Sequence, residues 1–262
     1  ERFLRQQTVT CCVMEYLELF PGWVKAASSL DIPMGVINGR VTSRSLRIRR
    51  LLRTSAALLD FFWAQTERDA ENAKTLGVPT SAIEVLGSTK RSILLHGPTP
   101  DVAFLRQQIG DFDVVVGSVH PDEEPKLIEV CQTYSGRVLI APRYLAQADR
   151  LYRHLHFSGM EVAYRTNAGC SRAKVVILNT VGELHAAYGL APIAIVAGTF
   201  GRRGGQNLLE PITMGTPVVY GPRHHRVVEE AVALADVGGI GVTTLKEAFS
   251  LVESTNYPTV DI

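Results

Sequence analysis

Net charge is the first thing this sequence lacks. Its 27 Lys and Arg face 26 Asp and Glu, a formal +1 over 262 residues, so no global field steers a polyanion and nucleic acid is excluded as a first expectation. Cysteine is scarce too. Cys11, Cys12, Cys131 and Cys170 form no Cys-x-x-Cys pair and have no histidines at zinc-ligand spacing, which excludes a zinc ribbon and fits free thiols in a reducing compartment. No apolar run reaches roughly eighteen residues, so the sequence holds no membrane-spanning helix, and no basic-then-apolar leader opens it. Low-complexity stretches and repeats between the halves are also missing.

What is present is an ordinary globular composition, 46% hydrophobic and 20% charged, far from the corner where chains stay unfolded. Short apolar runs alternate with longer amphipathic ones in both halves, the signature of βα units building a parallel sheet. Strands are predicted at Thr8 to Met14, Met34 to Ile37, Phe61 to Ala64 and Ile83 to Leu86, with helices at Trp23 to Ser29, Ser43 to Leu59 and Glu67 to Leu76. The second half gives strands at Val114 to Val116, Val138 to Ile140, Val175 to Leu178, Ile193 to Val196 and Val218 to Val219. Helices are predicted there over Glu124 to Tyr134, Gly182 to Tyr188, Leu208 to Met214 and Val227 to Ala235. The prolines and glycine of Leu95 to Pro100 resist helix and sheet alike, so the boundary falls near residue 100, dividing the chain into 1–100 and 101–262. Two such α/β domains imply a cleft, with ligands at the carboxyl ends of strands.

Four strand-end segments carry the chemistry. Gly198 to Pro211, GTFGRRGGQNLLEP, follows a strand, and its Gly201, Gly204 and Gly205 free the backbone to aim N–H groups at a phosphate before a helix. Asn207 suits an N-cap with Glu210 at capping-box spacing, while a carboxylate there also suits the two hydroxyls of a ribose. Ser118 and His120 follow the strand at Val114, where Asp122 is the alternative as a plain cap. Arg143, after the strand at Val138, offers a planar fork for phosphate or carboxylate, or is a surface arginine. Val181, Gly182 and Glu183 follow the strand at Val175, with Thr180 and Glu183 also readable as a capping box.

In order along the chain these segments are GSVHPDEE at Gly117, PRY at Pro142, NTVGEL at Asn179, GTFGRRGGQNLLEP at Gly198 and GTPVVYGP at Gly215. The order resembles that of the Kdo (3-deoxy-D-manno-octulosonic acid) transferases, whose members carry GSTHxGEE, PRH, DTMGEL, GGxxxxxGGHNxLEP and GxPVxFGP. Upstream, MEYLELFPGWV at Met14, VINGRVTSRSLRIRRLL at Val36 and VLGSTKRS at Val85 are similar to that family's METELWPNLI, ANARLSxRSxxxY and VTGNLKFD. The resemblance implies the α/β GT-B fold, two Rossmann-like domains facing a cleft, and an inverting transfer of Kdo from CMP-Kdo to lipid A precursor (lipid IVA) in lipopolysaccharide core biosynthesis.

Carried over position by position, it implies donor binding by Ser118, His120, Arg143, Val181, Gly182, Glu183, Gly204, Gly205, Asn207 and Glu210, with Glu15, Arg40 and Lys90 on the acceptor side of the cleft. It implies no metal and no cofactor beyond the donor, and a place at the cytoplasmic face of the bacterial inner membrane. The family's membrane anchor and the glycine-glutamate motif of its general base would precede Glu1, so the first domain is expected to be incomplete, with an exposed sheet edge and poor solubility. Arg40, Arg44, Arg47, Arg49, Arg50 and Arg53 form a basic cluster, either a solvated helix face or a contact for lipid phosphates and an anionic leaflet. Tyr144, Gln206, Val181 and Ser88-Thr89 depart from the family pattern. These departures keep open a degenerate nucleotide-binding relative without turnover, and the fold alone keeps open a UDP-sugar transferase or epimerase.

Overall fold

The computed structural model describes residues 2–89, 100–254, 257, 258 and 260, without the side chains of Ser43 and Glu229. Lys90 and most of the Leu95 to Pro100 stretch lie outside the described residues. Two compact units divide the chain, Glu1–His96 and Gly97–Ile262.

The first unit holds a parallel sheet of four strands in the order β1-β2-β3-β4, namely β1 Cys12–Glu15, β2 Met34–Gly39, β3 Phe61–Ala64 and β4 Ile83–Val85. This simple succession leaves each strand beside the next in sequence. The core of this unit gathers Val24, Met34, Val36, Phe62 and Leu76, all buried. Residues Arg2–Gln6 form a short helix, and the predicted strand from Thr8 begins only at Cys12. Glu67–Leu76 is a helix as predicted, because the Thr66 hydroxyl accepts the Asp69 N–H at its start and Gly77 ends it at φ 109°. The single helix expected over Ser43 to Leu59 is two, Ser43–Arg47 and Arg49–Ala56, broken at Ile48 (φ −100°, ψ 16°). Arg40 precedes both, so it does not share a helical face with Arg44 and Arg47.

The second unit carries seven parallel strands: β5 Val114–Val119, β6 Val138–Pro142, β7 Val162–Tyr164, β8 Val175–Ile177, β9 Ala194–Val196, β10 Val218–Tyr220 and β11 Gly239–Gly241. Their order is β11-β10-β9-β5-β6-β8-β7. Val114, Val115, Val116, Ile140, Ile177 and Ile195 are fully buried, since strands covered by helices on both faces read as continuous apolar runs. Each such side chain contributes about 1.5–3 kcal/mol by leaving water. From β5 the chain winds outward through β6, then returns to place β9 on the other side of β5. That reversal is a topological switch point, and ligands of open α/β sheets sit at its carboxyl edge.

Candidate functional site

Two loops leave the switch point. One follows β5 and runs to Glu123, ahead of the helix Glu124–Thr133; the other follows β9 from Ala197 to Leu208. They are tied together by Glu123, whose buried carboxylate accepts the N–H groups of Gly198 (2.7 Å), Phe200 (3.0 Å) and Gly201 (2.9 Å) as well as His120 (3.0 Å). The first part of the glycine loop therefore encloses the chain's own carboxylate, a correction to the expectation that these amides converge on a phosphate. Asp122 takes the Arg202 N–H at 2.8 Å instead of capping the helix. Gly201 lies against the Asp122 carboxylate: a Cβ there would stand 2.6 Å from it, so that side chain would have to shift. Left-handed backbone belongs instead to Gly198 (φ 78°), Gly204 (φ 88°) and Gly205 (φ 113°). The Gly205 N–H donates to the Gly198 carbonyl at 2.9 Å, which folds the loop back on itself.

Around this knot the predicted positions fall on adjacent strand ends. Ser118 sits in β5 with φ 58°, a left-handed strain that persists only where surrounding structure imposes it. His120 is buried, with Gln206 Nε2 3.3 Å from its Nε2 and the Tyr144 ring edge-on at 5.8 Å. Two of the positions that depart from the family pattern, Tyr144 and Gln206, thus both neighbour His120. Among the described residues its buried Nδ1 has no hydrogen-bond partner. Burial holds the imidazole below its ordinary value, the Glu123 carboxylate opposes that, and the cations Arg203 and Arg143 add to it. Arg143 follows β6, exposed, with its N–H on the Val119 carbonyl at 2.8 Å.

At the next strand end, Val181 is 83% exposed and Gly182 is left-handed at φ 87°. Glu183 is committed: its carboxylate takes the Thr180 hydroxyl and pairs with Arg165 at 3.1 Å, while Arg165 also reaches Gln108. The helix there, Leu184–Tyr188, starts after Glu183 and has no side-chain cap, so Thr180 and Glu183 do not form the box suggested by their spacing. Nor is Asn207 an N-cap. The helix Leu209–Thr213 is preceded by Leu208; Asn207 Oδ1 accepts the Leu209 N–H at 3.0 Å, and its Nδ2 donates to Glu210 Oε1 at 3.0 Å. Glu210 also bears on Tyr188, whose hydroxyl is pushed well above its ordinary value by burial and then by that charge.

Sequence reasoning missed Glu123, Tyr188 and Arg165, whose partners lie up to 78 residues away in the chain. In the first unit it named Glu15 and Arg40, both exposed, but missed Asn38. That residue is buried, left-handed at φ 51°, and donates to Glu15 Oε1 (3.2 Å) and Thr89 Oγ1 (2.7 Å) while accepting the Thr89 N–H (2.8 Å). Among the described residues no group of three His, Cys, Asp or Glu is arranged to hold a metal ion. No helix among them is long and apolar enough to cross a membrane.

Residues 1–93 match the family model described as 3-deoxy-D-manno-octulosonic-acid transferase (kdotransferase). A 3-deoxy-D-manno-octulosonic acid transferase of Bordetella pertussis is 29% identical over 84% of this chain and 55% of its own length. The chain thus spans about half the length of that curated relative. Among solved structures, the C-terminal CMP-Kdo binding domain of WaaA from Acinetobacter baumannii superposes with a TM-score of 0.51 at 21% identity, covering 58% of this chain and 86% of that one. UDP-GlcNAc 2-epimerase of Methanocaldococcus jannaschii gives 0.64 at 17% identity over 98% of this chain and 74% of its own. At such identities these two likenesses establish the Rossmann-like, GT-B type fold and nothing finer.

Proposed function

We propose, from the premise that this chain is a homologue of the Kdo transferases, that it serves a glycosyltransferase that takes CMP-Kdo as donor and a lipid A precursor as acceptor. One observation carries the reading. Four of the five segments that match the family's second-half motifs stand at the carboxyl ends of β5, β6, β8 and β9, four neighbouring strands that flank the switch point. In this reading Glu210 meets the ribose, Arg143 meets phosphate or the sugar carboxylate, and Asn207, Ser118, His120 and the Val181 to Glu183 turn hold the donor. Gly204 and Gly205 let the backbone pass close to it.

The transfer is a single displacement with inversion. An acceptor hydroxyl oxygen bonds to the anomeric carbon, its proton goes to a base, and the bond from that carbon to the phosphate oxygen breaks to release CMP. No described residue is assigned as the base. The reading needs no metal, since arginine and backbone donors can meet the charge of the leaving group. It places the protein at the cytoplasmic face of the bacterial inner membrane, where exposed Arg44, Arg47, Arg49, Arg50 and Arg53 beside the 70% exposed Leu51 would meet anionic lipid at about 1 kcal/mol per cation.

Calorimetric titration of the purified chain with CMP, CMP-Kdo and UDP tests the donor assignment. CMP and CMP-Kdo are expected to bind and UDP to bind at least about tenfold more weakly, as a site built around one base rejects the other. UDP binding as well as CMP would turn the reading toward the epimerases and UDP-sugar transferases that share the fold. CMP binding without transfer to a lipid A precursor, under conditions in which a full-length relative is active, would favour the non-catalytic alternative that Tyr144 and Gln206 raise.

A further inference from the structure

Outside the residues assigned to the donor, the β9 loop walls a cavity of about 680 Å³ together with the start of the helix Glu124–Thr133 and the turn after β10. Its lining includes Lys126, Arg202, Arg203 and Arg223, with Asp122 as the acidic member and Phe200 as an apolar wall. The surplus is large for a chain of formal charge +1. Among the described residues none of the four cations forms an ion pair. The Asp122 carboxylate spends one oxygen on the Arg202 N–H. Arg223 is held in place by donating from Nη1 to the Gly201 carbonyl at 3.0 Å, which leaves other guanidinium N–H groups for a ligand. The backbone beneath is rigid, because Glu123 pins the amides of Gly198, Phe200 and Gly201 from the inside.

Like charges crowded at one concave wall repel one another unless something of opposite sign sits among them, and a low-dielectric wall focuses their field on whatever enters. Arginine forks match the tetrahedral oxygens of phosphate, and the volume suits a small phosphorylated molecule in place of a polymer. We propose that this cavity is an anion site that takes a phosphate monoester, borne either by a soluble metabolite or by a lipid headgroup. It does not rest on the donor reading, and its cations are not those assigned to the donor.

The experiment is titration calorimetry of the whole chain with inorganic phosphate and, separately, with dihexanoyl phosphatidic acid below its micelle threshold. The wild-type chain, R202Q/R203Q, R223Q and R143Q are compared, with thermal melts confirming that each folds. Phosphate is expected to bind at millimolar concentration and to weaken about tenfold or more in R202Q/R203Q and in R223Q, the loss of charge-assisted bonds, while R143Q leaves it unchanged. Tighter binding of the lipid phosphate than of the free ion, lost in the same variants, assigns the group to a lipid; equal affinity assigns it to a soluble ester, and both support the site. The proposal is overturned if phosphate does not bind, if R202Q/R203Q binds as the wild type does, or if R143Q abolishes binding, which would put the ion in the donor position. Phosphate binding to a chain that refuses CMP would leave this site standing and sink the donor assignment instead.

Discussion

A single side chain, Glu123, decides the shape of the site's floor. Its carboxylate is buried and accepts N–H groups from both loops of the switch point. Glutamine at the same position offers one acceptor oxygen and turns an NH2 group toward amides that are themselves donors. We expect Glu123→Gln to cost about 3 kcal/mol, the combined loss of charge-assisted bonds and the penalty of unpaired buried donors. Urea unfolding would show the cost, and hydrogen exchange would show it locally at Gly198 to Gly201; unchanged protection there would contradict the assignment. His120 carries a pH signature. Its folded value lies below 6.5, chiefly through burial, so as pH falls below 6.5 the unfolded chain takes up a proton that the folded chain resists. Stability is therefore full above that pH and declines beneath it, with His185, lowered by burial, acting in the same sense. His120→Asn should flatten the decline in urea midpoint between neutral and mildly acid pH; a variant with the wild-type slope would refute this role for His120.

At the scale of elements, β5 leaves no room for a side chain at Gly117. A Cβ on Gly117 would collide with the hydroxyl and ring carbons of Tyr188, a fully buried side chain with nowhere to retreat. Gly117→Ala is expected to destabilise the second unit by about 3 kcal/mol, in the upper range of overpacking, and Tyr188→Phe in the same chain to recover part of that; a Gly117→Ala protein as stable as the wild type would show that the strand and helix can separate freely. Such contacts explain what the sequence could and could not show. Glu67–Leu76 was legible because its Thr66 cap and Gly77 stop are local chemistry, and β5, β6 and β8 because apolar runs mark covered strands. The helices Val102–Ile109, Ala148–Phe157 and Leu245–Ser254 were less legible, although Asp101 caps the first of them, because strand-end motifs say nothing of the amphipathic helices between them. Ser118, His120 and Arg143 stand at or just past the ends of β5 and β6, a position that the sequence itself signals. Glu123 was not legible, since its acidic side chain looks like any helix start until a loop 75 residues on folds around it.

At the scale of the molecule, each unit has its own parallel sheet and its own buried core. A set of contacts that closes on itself unfolds as a unit, so chains with two cores commonly depart from a single two-state transition. The sequence supplies a means of watching the units apart, because both tryptophans, Trp23 and Trp63, fall in the first. Every residue assigned to the donor falls in the second. A ligand that binds only a native unit stabilises that unit, by about 2.7 kcal/mol when present at a hundred times its dissociation constant. Saturating CMP should therefore move the urea midpoint followed by tyrosine near-ultraviolet dichroism, with seven of the eight tyrosines beyond residue 97, and leave the midpoint followed by tryptophan fluorescence where it was. Should both midpoints move together, the two cores unfold as one, and the donor's binding energy is felt on the acceptor side as well.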